Sequence, residues 1–450
     1  MKLLLLGDDA RAHTLVARLI ESARAPEVVC APGNGGTAPL AATLALDVTD
    51  PVLIARVCFE EFFDLVIPAD SRPLRHGLAD EALGLQVGVC GAAQRTTTIE
   101  YSRCALRAFV ERHEIAAPAG RAFADLDTAE RYLAGQRLPV VIKPDSPDSG
   151  EERFDDRYSA IEALRNIFAA QKLDGGAGVV IEEPIDGPVV ALTAFADGII
   201  TVPMLATRRY DRVADGDTGA YAVGVGAHTG SSALARELTR YLHTQFIQPI
   251  AAALAADDLP CWGMLGVDCV ITATGPRLTA IRFSLSPAEA ETVLIRLEDD
   301  LLLWLEATHS RRLSLLPPPR WSETPSVTIG LMARGYPGFF PYGGPVSGLT
   351  ELDEGVRVTH NATIHPAATF SYTTRAPQGS ALAAMIGGLM GMGTGGGANG
   401  PLRTTGGLPL RLTVQAGTLA GARGRALLNA ERIQFEGRMF RSDIGMKEFG

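Results

Sequence analysis

The chain has 450 residues, too many for one ordinary hydrophobic core, so length implies roughly two to four domains. Apolar residues make up 46% and charged residues 20%, the balance of a folded, water-exposed protein. A net charge of −10 argues against a sequence-independent nucleic-acid binder, which needs a basic surface.

The first residues, MKLLLLGDD, hold four leucines before a glycine and two aspartates. That run is too short for a signal peptide or a membrane span, so no membrane role is expected and the segment reads as a first strand. The six cysteines, Cys30, Cys58, Cys90, Cys104, Cys261 and Cys269, include no CxxC pair and no zinc-type spacing. They are expected to be buried free thiols in a reducing, cytoplasmic setting.

Lys2–Leu6 reads as a strand, Ala10–Ala23 as a helix and Glu27–Ala31 as a second strand. Leu65–Pro68 and Val87–Cys90 read as the next two. Strands alternating with helices need crossover connections, so residues 1–100 predict an α/β, doubly wound N-terminal domain. Tyr101–Ile115 is expected to be one helix, ended at Ala116-Ala117-Pro118-Ala119-Gly120. Leu138–Lys143, Gly178–Glu183 and Val189–Phe195 predict strands, and Ala160–Gln171 an amphipathic helix. Leu234–Ala255 predicts one long helix and Gly266–Thr272 a buried strand.

Leu315-Leu316-Pro317-Pro318-Pro319-Arg320 is the clearest linker, because three prolines join neither a helix nor a central strand. Beyond it, Val327–Ala333, Arg357–His360 and Leu408–Gln415 predict strands of a last domain. Met385–Gly400 is glycine-rich without phosphate-loop spacing and is expected to be a mobile loop.

Several short segments occur in a telling order. Ala31-Pro32-Gly33-Asn34-Gly35-Gly36-Thr37 follows the second strand, and Cys90-Gly91 leads to Glu100-Tyr101-Ser102-Arg103. Then come Pro139–Lys143, Val180–Glu183 and Arg212-Val213-Ala214-Asp215-Gly216-Asp217-Thr218-Gly219. Gly335-Tyr336-Pro337-Gly338 and Arg441-Ser442-Asp443-Ile444-Gly445 close the series. Together they resemble the motifs of phosphoribosylamine–glycine ligase, a member of the ATP-grasp superfamily. The resemblance spans about residues 1–445, apart from the glycine-rich insert.

The resemblance implies an N-terminal α/β domain over 1–100 and an ATP-grasp core over 101–316, with a small lid at about 119–190. It implies a β-rich C-terminal domain over 321–450. The family reaction joins glycine to 5-phosphoribosylamine at the expense of ATP, in purine biosynthesis, through an acyl phosphate. It implies Lys143 and Arg103 on the ATP phosphates and Glu182-Glu183 at an adenine hinge. Gly7, Asn34, Gly35, Thr37, Thr218, Gly219 and Arg296 would contact substrate, and Arg212 and Asp217 would serve catalysis; apart from the family's own metal positions, Asp268 on the paired strand is the single candidate metal ligand. For the turn Gly33–Thr37, ribose-phosphate contact and a plain tight turn both remain open.

The chain also departs from that family. Asp8, Asp9 and Ala10 replace the family's Asn-Gly-Gly after the first strand, putting two carboxylates where backbone N–H groups would meet a phosphate. In the loop Asp145–Glu152, Glu151 replaces a lysine. Val189 takes the place of a ribose-binding carboxylate, and Arg282 and Ser284 those of a Glu/Asn magnesium pair. No two-carboxylate magnesium cradle is expected. Two readings follow: an ATP-dependent carboxylate–amine ligase with an eroded site, or an inactive paralogue that binds a ligand or a protein partner. A dehydrogenase would need GxGxxG after the first strand, and Gly7-Asp8-Asp9 lacks it.

Overall fold

The computed structural model describes residues 1–174, 178–230, 232–365 and 400–447. Residues 385–399 of the glycine-rich segment lie outside the described residues.

The N-terminal sheet is parallel, in the order Ala42–Thr43, Glu27–Pro32, Lys2–Gly7, Leu65–Pro68, Gly88–Val89. Leu4 faces Val29 on one side and Val66 on the other. All four leucines of the first strand are buried. Leu4 and Leu6 share a core with Ile54 and Val57, while Leu3 and Leu5 pack with Leu15, Val16 and Leu19. A strand covered on both faces reads as a continuous apolar run, which is why this one lacks alternation. The first helix is Ala10–Ile20, shorter than expected, because the chain turns at Ser22 and Ala25 adopts a left-handed φ of 45°.

The helix expected over 101–115 is Arg103–Arg112, and a separate helix, Gln94–Tyr101, which the sequence reading lacked, precedes it. Ser102 breaks them with extended backbone, and its Oγ accepts the Ala105 N–H at 3.0 Å. A serine hydroxyl favours the cap over the helix interior. The long helix expected over 234–255 is Ala233–Leu242 and Gln248–Ala256, joined by a wide turn at His243–Ile247. Pro249, which has no N–H to give, follows that turn.

A four-stranded lid sheet runs Gly120–Phe123, Val179–Glu182, Val140–Pro144, Glu152–Phe154. Helices Leu126–Gly135 and Arg157–Asp174 pack on it through Phe123, Leu133, Ile142 and Leu164. Among the described residues the main sheet has eleven strands. Gly275–Arg282, Cys261–Thr272, Val189–Asp197, Thr207–Ala214 and Thr218–Thr229 lead into Ser326–Ala333, Leu410–Gln415 and Arg357–His360. The strand after the triple-proline linker, Ser326–Ala333, pairs directly with Thr218–Thr229 from before it, Ile329 facing Gly226. One sheet therefore continues across the linker. All six cysteines are free, and only Cys104 is not fully buried. Among the described residues no helix is long and apolar enough to cross a membrane.

Candidate functional site

Lys143 stands on the lid strand Val140–Pro144, beside Glu182 on the neighbouring strand. Glu182 faces Val141, and residues two apart on a strand share a face, so Lys143 and Glu182 meet diagonally. Lys143 Nζ lies 2.9 Å from Glu182 Oε2 and 3.3 Å from Glu151 Oε2. Burial works against the ammonium, but Glu182 and Glu151 outweigh it and hold its pKa above the usual lysine value. Arg103 Nη1 donates to the carbonyls of Pro144 (3.0 Å) and Gly150 (2.5 Å), and its Nη2 is 3.7 Å from Glu151. Both cations of this cluster therefore already face a carboxylate. Glu182 is enclosed, whereas the Glu151 side chain is 54% exposed. Glu183 is tied to residue 119 at both ends: its N–H donates to Ala119 O at 2.8 Å, and its Oε1 accepts the Ala119 N–H at 3.0 Å.

Asp268 sits in the main sheet within a buried charge network. Arg282 Nε and Nη2 each lie 3.0 Å from its Oδ1, and Arg209 Nη1 lies 2.5 Å from its Oδ2. Arg282 Nη2 is also 3.2 Å from Glu289 Oε2, and Nη1 donates to Ser284 O at 2.8 Å. Arg209 Nη2 pairs with Asp211 at 2.6 Å. Burial opposes ionisation of Asp268, but Arg209 and Arg282 outweigh it and hold its carboxyl below the usual range. The Arg282 guanidinium lies over Gly266, where a Cβ would come within 3.0 Å of it. Glu289 also accepts from Thr193 Oγ1 (2.8 Å) and from Ser286 N–H (2.9 Å) and Oγ (2.7 Å). Glu291 is met by Arg411 at 3.1 Å.

The first loop is likewise self-satisfied. Asp9 caps its helix through the Arg11 and Ala12 N–H groups and pairs with Arg11 at 2.6 Å. Arg72 holds Asp70 at 2.7 Å and Asp8 at 2.5 Å. A Cβ on Gly7 would stand 2.8 Å from Ala69 Cβ, so this glycine permits close packing. Asn34 Nδ2 donates to the carbonyls of Asp8 (3.0 Å), Asp9 (3.1 Å) and His360 (2.8 Å). Its Oδ1 accepts the N–H groups of Gly36 and Thr37. Thr37 Oγ1 accepts the Asn34 N–H at 2.7 Å, and the Gly35 N–H donates to Thr363 O at 2.9 Å. Between this loop and the Arg282 network, Glu100 Oε2 accepts the Phe283 N–H at 3.1 Å. Burial pushes the Glu100 carboxyl up to about 7, against the pull of Ser71, that N–H, Arg282 and Arg11.

Arg212, Asp217, Thr218 and Gly219 lie at the tip of the hairpin between Thr207–Ala214 and Thr218–Thr229. Asp217 takes a left-handed φ of 54°, and Arg212 Nη1 donates to Gly219 O at 2.8 Å. The Thr218 hydroxyl donates to Asp215 O at 2.9 Å. The fully buried Arg441 gives Nη1 to Asp217 Oδ1 (2.8 Å) and to Arg212 O (3.0 Å). Its other nitrogens clasp Asp443 at 2.8 and 2.7 Å. Two motifs 224 residues apart thus form one pin. Arg296, remote from Lys143 in sequence, spends its donors on Thr229 Oγ1, Gly230 O and Ser322 O, at 2.7 to 3.1 Å.

The structure therefore gathers the predicted residues, Arg296 excepted, into four clusters: Lys143 with Arg103 and Glu182, Asp268 with Arg282, the Asn34 turn, and the Asp217 hairpin. Two consecutive family matches span them. Phosphoribosylglycinamide synthetase, N domain, matches residues 1–100, and Phosphoribosylglycinamide synthetase, ATP-grasp (A) domain, matches 101–289. The chain belongs to the phosphoribosylglycinamide synthetase family. It is 29% identical over 453 residues to phosphoribosylamine–glycine ligase of Phenylobacterium zucineum, covering 100% of each chain. Against the ligase of Agrobacterium fabrum the identity is 27%, over 99% of this chain and 98% of the relative. The solved phosphoribosylamine–glycine ligase of Thermotoga maritima superposes with a TM-score of 0.77 at 19% identity, over 99% and 100% of the two chains. The biotin carboxylase of Campylobacter jejuni gives 0.68 at 11%, over 99% and 94%. These structural likenesses speak for the ATP-grasp fold.

Against this phosphoribosylglycinamide synthetase background, several groups escaped the sequence reading: Arg209, Asp211, Glu100, Arg411 and the pinning role of Arg441. A signal existed for the first two. In Thr207–Ala214, Arg209 and Asp211 are two apart and share a strand face, in a strand otherwise covered by sheet neighbours. Buried charges at that spacing call for partners.

Proposed function

We propose that this family member keeps the ATP-grasp architecture with an eroded nucleotide and metal site. On this reading it does not join glycine to 5-phosphoribosylamine, and it serves as a ligand- or partner-binding protein. The observation that carries the reading is the Arg282 guanidinium seated between Asp268 and Glu289. Phosphoryl transfer from a triphosphate needs cations placed in advance, chiefly divalent metal held by carboxylates. A guanidinium has no lone pair to offer a metal and repels one. Asp268 is already divided between Arg209 and Arg282, so the residues present do not fit magnesium.

For the nucleotide, Lys143, Arg103 and the Glu182-Glu183 hinge remain as contacts. Each cation there is opposed by Glu151 or Glu182. Binding of ATP is therefore expected to be weak and nearly independent of magnesium. The direct test is glycinamide ribonucleotide formation from phosphoribosylamine, glycine and ATP, together with rescue of a purine-requiring strain lacking its own ligase. No product and no rescue are expected; growth on the unaltered chain overturns the proposal.

A second reading, the family ligase reaction itself, is favoured by Lys143, which keeps its strand position beside the hinge. In that reading glycine and phosphoribosylamine are the substrates, Arg212 and Asp217 act at the reacting end, and Arg282 replaces part of the charge of a metal. Product formed with magnesium chelated away is the outcome that supports it.

A further inference from the structure

Apart from the clusters above, a cleft of about 480 Å³ opens beside the helix Gln94–Tyr101. Arg75, Gln94, Arg95, Thr98, Tyr101 and Ser102 line it. That volume falls within the usual span of small-molecule sites, about 300–1,000 Å³. Its lining holds two guanidinium groups and no carboxylate, in a chain of net charge −10.

Most polar groups of the walls are already engaged. Gln94 Nε2 donates to Arg75 O at 3.0 Å, Thr97 Oγ1 to Gln94 O at 2.7 Å, and Ser102 Oγ to Asp145 Oδ1 at 2.7 Å. These bonds hold the walls in place. The Arg75 guanidinium lies over the Tyr101 ring, 4.3 Å from its centre, and has no carboxylate within ion-pair distance among the described residues. Arg95 makes one long contact, Nη2 to Asp257 O at 3.4 Å. The Asp257 carboxylate beside it is taken by Arg112 at 2.8 Å and His113 at 3.0 Å. Two forks of N–H donors and the exposed Thr98 hydroxyl thus remain around a polar hollow.

We infer that this cleft binds a phosphate monoester, held between Arg75 and Arg95 with Thr98 as a further donor. A phosphate offers acceptor oxygens in several directions, so it suits two guanidiniums reaching in from different elements. The inference does not rest on the loss of ligase activity. The cleft is separate from Lys143 and Asp268, although Ser102 in its wall precedes Arg103 and grips the start of the Asp145–Glu152 loop.

Calorimetry on the full chain with glycerol 3-phosphate, inorganic phosphate and succinate tests this. Saturable one-to-one binding is expected for glycerol 3-phosphate, with inorganic phosphate competing and succinate weaker. Arg75→Gln with Arg95→Gln should lower the affinity about tenfold or more, the loss of one or two charge-assisted hydrogen bonds. Arg56→Gln, an exposed arginine elsewhere on the N-terminal domain, should leave it unchanged. Should the double variant fail to fold, Arg95→Gln with Thr98→Val reads the same cleft and must also weaken binding. Absence of saturation with either phosphate, an unaltered affinity in the cleft variants, or an equal loss in Arg56→Gln overturns the inference. Succinate binding more tightly than either phosphate overturns the phosphate assignment.

Discussion

Arg282 Nη2 stands 3.0 Å from Asp268 Oδ1 and 3.2 Å from Glu289 Oε2, so one side chain bridges two buried carboxylates. Removing it leaves Asp268 to Arg209 alone and Glu289 to its neutral donors Thr193 and Ser286. Arg282→Met is expected to destabilise the fold by about 3–5 kcal/mol, the usual penalty for breaking a buried pair from one side. Arg282→Glu with Ser284→Asn adds a third carboxylate and is expected to create magnesium dependence. Its unfolding free energy should rise by about 1–3 kcal/mol on saturation with magnesium, while that of the unaltered chain stays flat. Denaturant unfolding with and without the metal reads both, and a magnesium response in the unaltered chain contradicts the account.

Glu151 contacts Lys143 and Arg103 from a side chain more than half exposed. Exposed pairs are worth little, so its removal should relieve Arg103 of its carboxylate and leave Lys143 with Glu182 alone, at small structural cost. Glu151→Gln is expected to tighten ATP binding in chelator by roughly two- to fivefold, without changing the unfolding midpoint. Calorimetry at low salt is the measurement. An unchanged affinity would show that Glu151 does not compete for these cations.

The Arg441–Asp217 contact ties the 441–445 segment to the hairpin tip at 2.8 Å. Arg441 also supplies Arg212 O and clasps Asp443, and Ser442 and Gly216 add bonds across the same junction. Arg441→Met should cost about 1–3 kcal/mol, chiefly lost charge-assisted hydrogen bonds because Asp217 stays half exposed, and open the hairpin to solvent. Hydrogen exchange of the 212–219 amides should accelerate before that of the main sheet. Uniform exchange across both regions contradicts a local pin.

Histidine burial sets one pH response. His13 Nδ1 accepts the His360 N–H at 2.9 Å, joining the first helix to the C-terminal strand Arg357–His360. Burial holds His13 down to about 4; burial with the nearby His13 and His365 holds His360 down to about 3. An unfolded histidine titrates near 6.5, so below that value the unfolded chain takes up protons that the folded one refuses. Their contribution is complete above pH 6.5 and drains away as pH falls toward 4 and then 3.

Glu100 acts in the opposite direction. With its carboxyl raised from 4.5 to about 7, the folded chain keeps a proton that the unfolded chain has lost. Its contribution therefore grows as pH falls through that window, and it offsets part of the histidine loss. Glu100→Gln retains an acceptor for the Phe283 N–H but removes the titration. Between about pH 7 and pH 5 the variant should lose roughly 1–3 kcal/mol more stability than the unaltered chain. Parallel urea titrations across that range decide it, and identical slopes count against a raised Glu100.

The apolar runs and their spacing sufficed for the element order. Leu3 to Leu6 and Leu65–Pro68 carry enough buried hydrocarbon to fix strands without reference to distant residues. The same holds for Lys143 at a strand end, since strand, charge and neighbouring motif are all local. The sequence also carried Glu151 and Arg282 at positions where the resemblance implies a lysine and a magnesium-binding glutamate. It did not determine the helix break at Ser102, where a single hydroxyl finds a cap that periodicity cannot register. Nor did it determine what the changed charges do. Arg282 meets Glu289 because a sheet strand and a later helix converge, Arg209 meets Asp268 through strand order, and Arg441 meets Asp217 across 224 residues. Local pattern sets which backbone conformation a residue prefers; only the assembled sheet brings opposite charges to within 3 Å in a buried setting, where an unpaired one would be too costly to keep.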